Sequence, residues 1–176
     1  KKCRVVNNGE IRTSGGRFYF SAVSTLEGTG VVTCAGGTPE LLGGLSDFAG
    51  EIVVTGGTPQ VANIESFPGT LRLVDGVMTS TPLASFRGTT IYDLKSRETL
   101  PFDIEGKGWT DLPQGTRVIV ETGDRRFHTG DKVVSWETKP ENLSGLSFKL
   151  ASGQPGALVG TDKGVVFMTG LTIILH

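Results

Sequence analysis

The chain has 176 residues, 37% hydrophobic and 20% charged, with 17 Lys and Arg against 18 Asp and Glu, for a net charge of −1. That length allows one domain, or one elongated domain with a cap. The charge balance argues against a dedicated nucleic-acid or anionic-membrane surface, because each needs a basic excess.

Glycine is abundant, at 26 residues, without any collagen-like register, so the glycines read as punctuation between short strands. Helix signals are nearly absent: Gly, Pro or Thr interrupts almost every window in which an i, i+3, i+4, i+7 pattern could build. Short Val, Ile, Leu, Phe and Thr runs bounded by turn residues predict strands instead. In chain order these are Arg4–Val6, Arg17–Ser21, Gly30–Cys34, Glu51–Thr55, Thr70–Val74, Thr89–Asp93, Thr116–Glu121, Lys132–Trp136, Ser147–Leu150, Gly164–Met168 and Leu171–Leu175. The pattern is all-β. No run reaches the roughly 18–20 apolar residues of a membrane-crossing helix. The first residue is Lys1, as expected of a processed or excised piece of a longer precursor.

A Phe-x-Gly step recurs among these strands. Phe48-Ala49-Gly50, Phe67-Pro68-Gly69 and Phe86-Arg87-Gly88 follow one another at intervals of 19 residues, and Leu26-Glu27-Gly28 is a weaker copy 22 residues earlier. Gly36-Gly37-Thr38-Pro39-Glu40-Leu41 and Gly56-Gly57-Thr58-Pro59-Gln60-Val61 are near copies, echoed by Thr81-Pro82-Leu83. A period near 20 residues made of strands and turns is the mark of stacked coils. Stacking sets like on like, so Phe48, Phe67 and Phe86 form one interior row. Ile52, Leu71 and Thr90 form a second, and Val32, Val54, Leu73 and Tyr92 a third. Glycine at the corners supplies positive φ or close backbone approach.

The expected fold is a right-handed parallel β-helix, with coils of about 19–22 residues over 1–100. Beyond residue 100 the Phe-x-Gly step stops, and both tryptophans, Trp109 and Trp136, lie there. An open solenoid end exposes unpaired edges, so 101–176 is expected to be a hairpin-rich β cap that continues or closes the solenoid. Leu112-Pro113-Gln114-Gly115-Thr116, leading into Arg117–Glu121, looks like the start of this hairpin-rich segment.

These residues resemble the autotransporter-associated β-strand repeats of secreted bacterial passenger domains, whose unit runs Phe-x-Gly-x-Leu-x-Val followed by a glycine pair. The matching stretches are Phe48 to Gly57 and Phe67 to Gly76; the copy from Phe86 departs by placing Thr90 at an aliphatic position. Leu112 to Val118, Gly130 to Val134 and Gly170 to Leu175 are similar to the closing strands of such passengers. The resemblance implies an extracellular or cell-surface scaffold and names no single activity.

Chemistry is thinly marked. Cys3 and Cys34 lack metal-ligand spacing; they read as two small buried residues, with a disulfide in an oxidising compartment as the alternative. The solenoid half carries Asp47, Asp75 and Asp93 with Glu27, Glu40, Glu51 and Glu65, but no paired-aspartate motif, and Asp75 and Asp93 read as solvated turn residues on neighbouring coils. The densest polar cluster is Asp124-Arg125-Arg126-Phe127-His128 with Asp131. Its two Thr-Gly-Asp turns suggest a solvated hairpin tip; as a site, His128 would be the acid/base and Arg125 or Arg126 an anion clamp. No nucleophile elbow, phosphate loop, dinucleotide fingerprint or calcium nonapeptide occurs.

The function expected is therefore a non-enzymatic extracellular scaffold or adhesin-like module. It would have no catalytic or metal residues and no cofactor, and its partners would be surface glycans, proteins, or its own solenoid edges. A structural subunit of a surface filament is the first alternative. A polysaccharide lyase or hydrolase on a β-helix is the second.

Overall fold

Thr70-Leu71-Arg72-Leu73-Val74 alternates in the period of a strand, so Leu71 and Leu73 turn to one face and Arg72 to the other. The same alternation, coil after coil, builds the architecture seen in the computed structural model, which describes residues 2–75, 86–95, 102–103 (backbone only), 117–140 and 143–170. The first coil holds β1 (Arg4–Val6), β2 (Glu10–Thr13) and β3 (Tyr19–Phe20). The second holds β4 (Thr25–Gly28), β5 (Val31–Ala35) and β6 (Glu40–Leu41), and the third β7 (Gly44–Phe48), β8 (Glu51–Gly56) and β9 (Gln60–Val61). A 3-10 turn, Ile64–Ser66, then replaces the strand on the first side, and β10 (Thr70–Val74) and β11 (Thr89–Asp93) follow. Next come β12 (Phe102–Asp103), β13 (Arg117–Glu121), β14 (Lys132–Ser135), β15 (Leu146–Lys149), β16 (Ala157–Thr161) and β17 (Gly164–Met168).

Strands from equivalent sides of successive coils pair in parallel. One side gives β1-β4-β7, another β3-β6-β9, and the longest a seven-stranded sheet in the order β15-β13-β11-β10-β8-β5-β2. The fold is a parallel β-solenoid of about 4 turns, as the repeat predicted. The long sheet runs past residue 100 through β13 and β15, while β14, β16 and β17 form an antiparallel sheet with β12 joined to β14 in parallel. Trp136 and Phe167 bury themselves in this terminal part, and the Trp136 ring N–H donates to the Asp162 carbonyl at 3.2 Å.

The interior is built of rows. Phe48, Phe67 and Phe86 are fully buried and stacked, with centroids 5.9 and 5.7 Å apart and rings inclined by only 12° and 16°. Parallel offset rings at that spacing add attraction beyond the area they bury. The second row, Ile52-Leu71-Thr90, is also present and extends to Val32 on one side and Val118 on the other. The third row differs from expectation: Cys34, not Val32, sits beside Val54, Leu73 and Tyr92.

The displacement has a definite cause. The second coil is phased by Gly30, not by Leu26-Glu27-Gly28, since Gly28 pairs with Phe48 and Val31 with Glu51. A Cβ on Gly50 would overlap the Gly30 carbonyl, one on Gly69 the Gly50 carbonyl, and one on Gly88 the Gly69 carbonyl. These glycines mark a tight contact between coils, where backbone lies on backbone. At the Gly-Gly-Thr-Pro corners the demand is conformational as well as steric: Gly37 and Gly57 have φ of 71° and 74°, and a Cβ on Gly37 would overlap the Gly16 carbonyl and one on Gly57 the Gly37 carbonyl.

Strands β2, β4, β7, β12 and β16 are not among the expected ones, because short polar-rich runs such as Glu10–Thr13 and Gly44–Phe48 look like turns until a neighbouring coil pairs with them. The expected strand Leu171–Leu175, the Thr81-Pro82-Leu83 corner, Trp109 and Leu112–Thr116 lie outside the described residues.

Candidate functional site

The outward face of the long sheet carries the densest set of interacting charges. Arg72 stands out from the middle of β10, and its guanidinium reaches carboxylates on three other strands: Nε donates to Glu51 at 2.9 Å, and Nη1 donates to Asp93 at 3.0 Å and to Glu121 at 2.9 Å. Asp93 and Glu121 are direct register partners at the ends of β11 and β13, and Lys149 of β15 is next in the same row. Two carboxylates set opposite each other repel. Here they are bridged by Arg72 and by Lys95, whose ammonium is 3.1 Å from Glu121 and 3.6 Å from Asp93. Lys149 adds a further contact to Glu121 at 3.4 Å.

The cluster balances three carboxylates against three cations. The Glu121 side chain is only 7% exposed. Burial alone would raise its pKa, but hydrogen bonds from Arg72 and Lys95 outweigh that and hold it down at about 2. Burial also works against the Arg72 charge, and the bonds to Glu121 and Glu51 reverse this, so its pKa lies above the ordinary arginine value. A carboxylate ionised at every physiological pH can accept hydrogen bonds but has no proton to give, and a pKa near 2 makes it a weak base. A cleft of about 280 Å³ opens beside it, lined by Lys95, Glu121, Asp124, Lys149 and Ser152 among others.

The sequence had singled out neither Arg72, Glu121, Lys95 nor Lys149. Asp93, expected in a solvated turn, is buried at a strand end and ion-paired. Asp75 fits the turn reading: exposed, with φ of 53°, it donates its N–H to the Asp93 carbonyl of the next coil at 2.8 Å.

The segment from Asp124 to Asp131 is not a hairpin tip. It turns a corner between β13 and β14, which belong to different sheets. Phe127 anchors it, buried against Phe167 with centroids 5.8 Å apart, and its carbonyl accepts from Gln154 at 2.8 Å. His128 is brought to Asp131, whose carboxylate accepts the His128 backbone N–H at 2.7 Å and lies 3.6 Å from Nδ1. The imidazole itself is 91% exposed, which gives it no desolvated environment in which to act on a substrate. Arg126 is exposed and Arg125 half-buried.

Cys34 is buried, and burial pushes its thiol up to about 11 against a weaker hydrogen bond with Thr13. Cys3 is exposed, contrary to the expectation of two buried residues, and the two are not bonded to each other. Among the described residues no group of three or more His, Cys, Asp and Glu is placed to hold a metal ion. Also among them, no helix is long and apolar enough to cross a membrane. No family model matches the chain, and no curated protein or solved structure matches it either.

Proposed function

We propose that the chain is a non-enzymatic β-solenoid scaffold of the extracellular or cell-surface kind, an adhesin-like module similar to autotransporter passenger repeats. One observation supports this most: the densest cluster of ionisable groups, around Arg72 and Glu121, closes on itself across four strands. Its charges brace coils together, the part a rigid display surface needs. The flat outer faces then offer rows of Thr, Arg and Glu to glycans or protein surfaces.

The test is direct. Binding of the purified chain to a panel of glycans and to cell surfaces, with no turnover of uronic-acid polymers, is the expected result. Cleavage of such a polymer that is lost in Arg72→Met and in Glu121→Gln would replace the scaffold with the lyase or hydrolase reading. A filament-subunit reading draws on β1, β2 and β3, each of which is paired on one side only among the described residues. Concentration-dependent elongation in sedimentation would favour it.

A further inference from the structure

At the corner where β11, β13 and β15 end, three neighbouring strands of the long sheet each give part of the wall of one cleft. Lys95 follows β11, Glu121 closes β13 with Asp124 behind it, and Lys149 closes β15 with Ser152 behind it. The space is about 280 Å³, just below the roughly 300–1,000 Å³ of pockets for drug-sized molecules. That is room for one small ring, not for a peptide or a nucleotide.

The wall is set before any ligand arrives. Glu121 is 5% exposed, fixed from below by Arg72. The Lys95 backbone N–H donates to Asp93 at 3.2 Å, and its ammonium lies 3.1 Å from Glu121. Its stem packs on Gly123, where a Cβ would overlap the Lys95 Cγ; with φ of 64° as well, Gly123 is held to glycine on two counts. A ligand that meets fixed groups is spared the cost of ordering them.

The charges of the lining cancel, and that selects the ligand. Lys95 and Lys149 both pair with Glu121 already, and Asp124 is followed directly by Arg125 and Arg126. An anion would find both ammoniums engaged and two carboxylates against it; a cation would meet the two ammoniums. Hydrogen-bonding capacity does not cancel. An ammonium carries three N–H groups and a carboxylate about four lone-pair sites, so the exposed Lys149, Asp124 and Ser152 keep both donors and acceptors. Leu150 and Ala151 add apolar lining. A sugar ring matches this mixture, since each hydroxyl both donates and accepts and the ring has an apolar C–H face. We infer that the corner cleft is a binding site for one neutral hexose unit of a glycan. The inference rests on the scaffold reading and moves the glycan contact from the flat faces to a corner.

Titration of the 176-residue protein with the methyl glycosides of glucose, galactose and mannose tests it, with methyl glucuronide as the anionic probe and glucosamine as the cationic one. At least one neutral glycoside is expected to shift the backbone amide resonances of Gly123, Ala151 and Ser152 saturably, and both charged probes to bind more weakly. Lys149→Met, which removes one charged donor, should weaken the neutral sugar about tenfold. Asp124→Asn should raise glucuronide binding relative to the neutral sugar. Ser152→Trp, which fills the cleft from an exposed turn, should abolish binding with Tm unchanged. Amides that none of the three neutral glycosides moves, or glucuronide bound as well as its neutral counterpart, overturn the proposal. Glycan binding that survives Ser152→Trp also overturns it, while leaving the scaffold reading in place.

Discussion

Arg72 and Glu121 are 49 residues apart in sequence and 2.9 Å apart in space, joined across the strand that lies between them. The contact gives the fold an acid-sensitive joint. In the unfolded chain Glu121 titrates near 4.5, and in the fold near 2. A depressed carboxyl pKa means the unfolded state binds the extra proton first, so the stabilisation is complete above the unfolded value and lost as pH falls through the folded one. Denaturant melts should show stability falling by on the order of 3 kcal/mol between about pH 5 and pH 2. Glu121→Gln should flatten that slope; an unchanged slope would assign the acid sensitivity to other groups.

Arg72→Met tests the same joint from the cationic side. Removing the guanidinium leaves Glu51, Asp93 and Glu121 gathered around an apolar side chain, with only Lys95 and Lys149 in compensation. Breaking a buried pair from one side costs more than the pair contributes. Because Arg72 keeps 22% of its side chain exposed, the expected loss is about 2–3 kcal/mol, below the roughly 3–5 kcal/mol of a fully buried pair. Adding Glu121→Met to Arg72→Met should recover part of it, and a double variant worse than the single would contradict this account.

The two thiols should behave as different chemical species. Cys34 is fully buried with its thiol pushed up to about 11, so little thiolate exists at pH 8 and no reagent reaches it. Cys3 is exposed. Titration with an aromatic disulfide reagent should release one equivalent from the native protein and a second only in denaturant. Two rapid native equivalents would mean that the row of Cys34, Val54 and Leu73 opens.

How much of this was legible follows from the coil length. Where coils keep to 19–21 residues, from β5 to β11, identical spacing showed which side chains would stack: Phe48, Phe67 and Phe86, and Ile52 with Leu71. The phase of the second coil was misread because Leu26-Glu27-Gly28 imitates the motif, whereas the geometric requirement falls on Gly30. Beyond β11 the coil lengthens, so that Glu121 and Lys149 are partners 28 residues apart. No repeated motif marks that interval, and the charge cluster that spans it left no local signal. Corners were likewise hard to tell from hairpins, since Thr-Gly-Asp turns a chain equally well between strands of one sheet or of two.

The aromatic and glycine columns make opposite demands on the same coil, and paired substitutions separate them. Phe67 fills the gap between Phe48 and Phe86 and is 1% exposed. Phe67→Ala removes two ring contacts and leaves a cavity that rigid coils above and below cannot close, at a cost of about 3–5 kcal/mol. Phe67→Leu, which keeps most of the volume, should cost visibly less. Gly50→Ala adds one carbon where there is no room: the Gly30 carbonyl and the Phe48 ring already occupy its place, and the obstructing carbonyl itself accepts the Glu51 N–H at 3.0 Å. The coils must move apart, at about 1–3 kcal/mol, and the shift should reach both neighbours through the ladder. Gly9→Ala, in the same column with open space around it, should leave the melting temperature of the isolated chain unchanged. If Gly9→Ala and Gly50→Ala destabilised equally, the glycines would be needed for chain flexibility rather than for contact between coils, and the column would lose its meaning as a register mark.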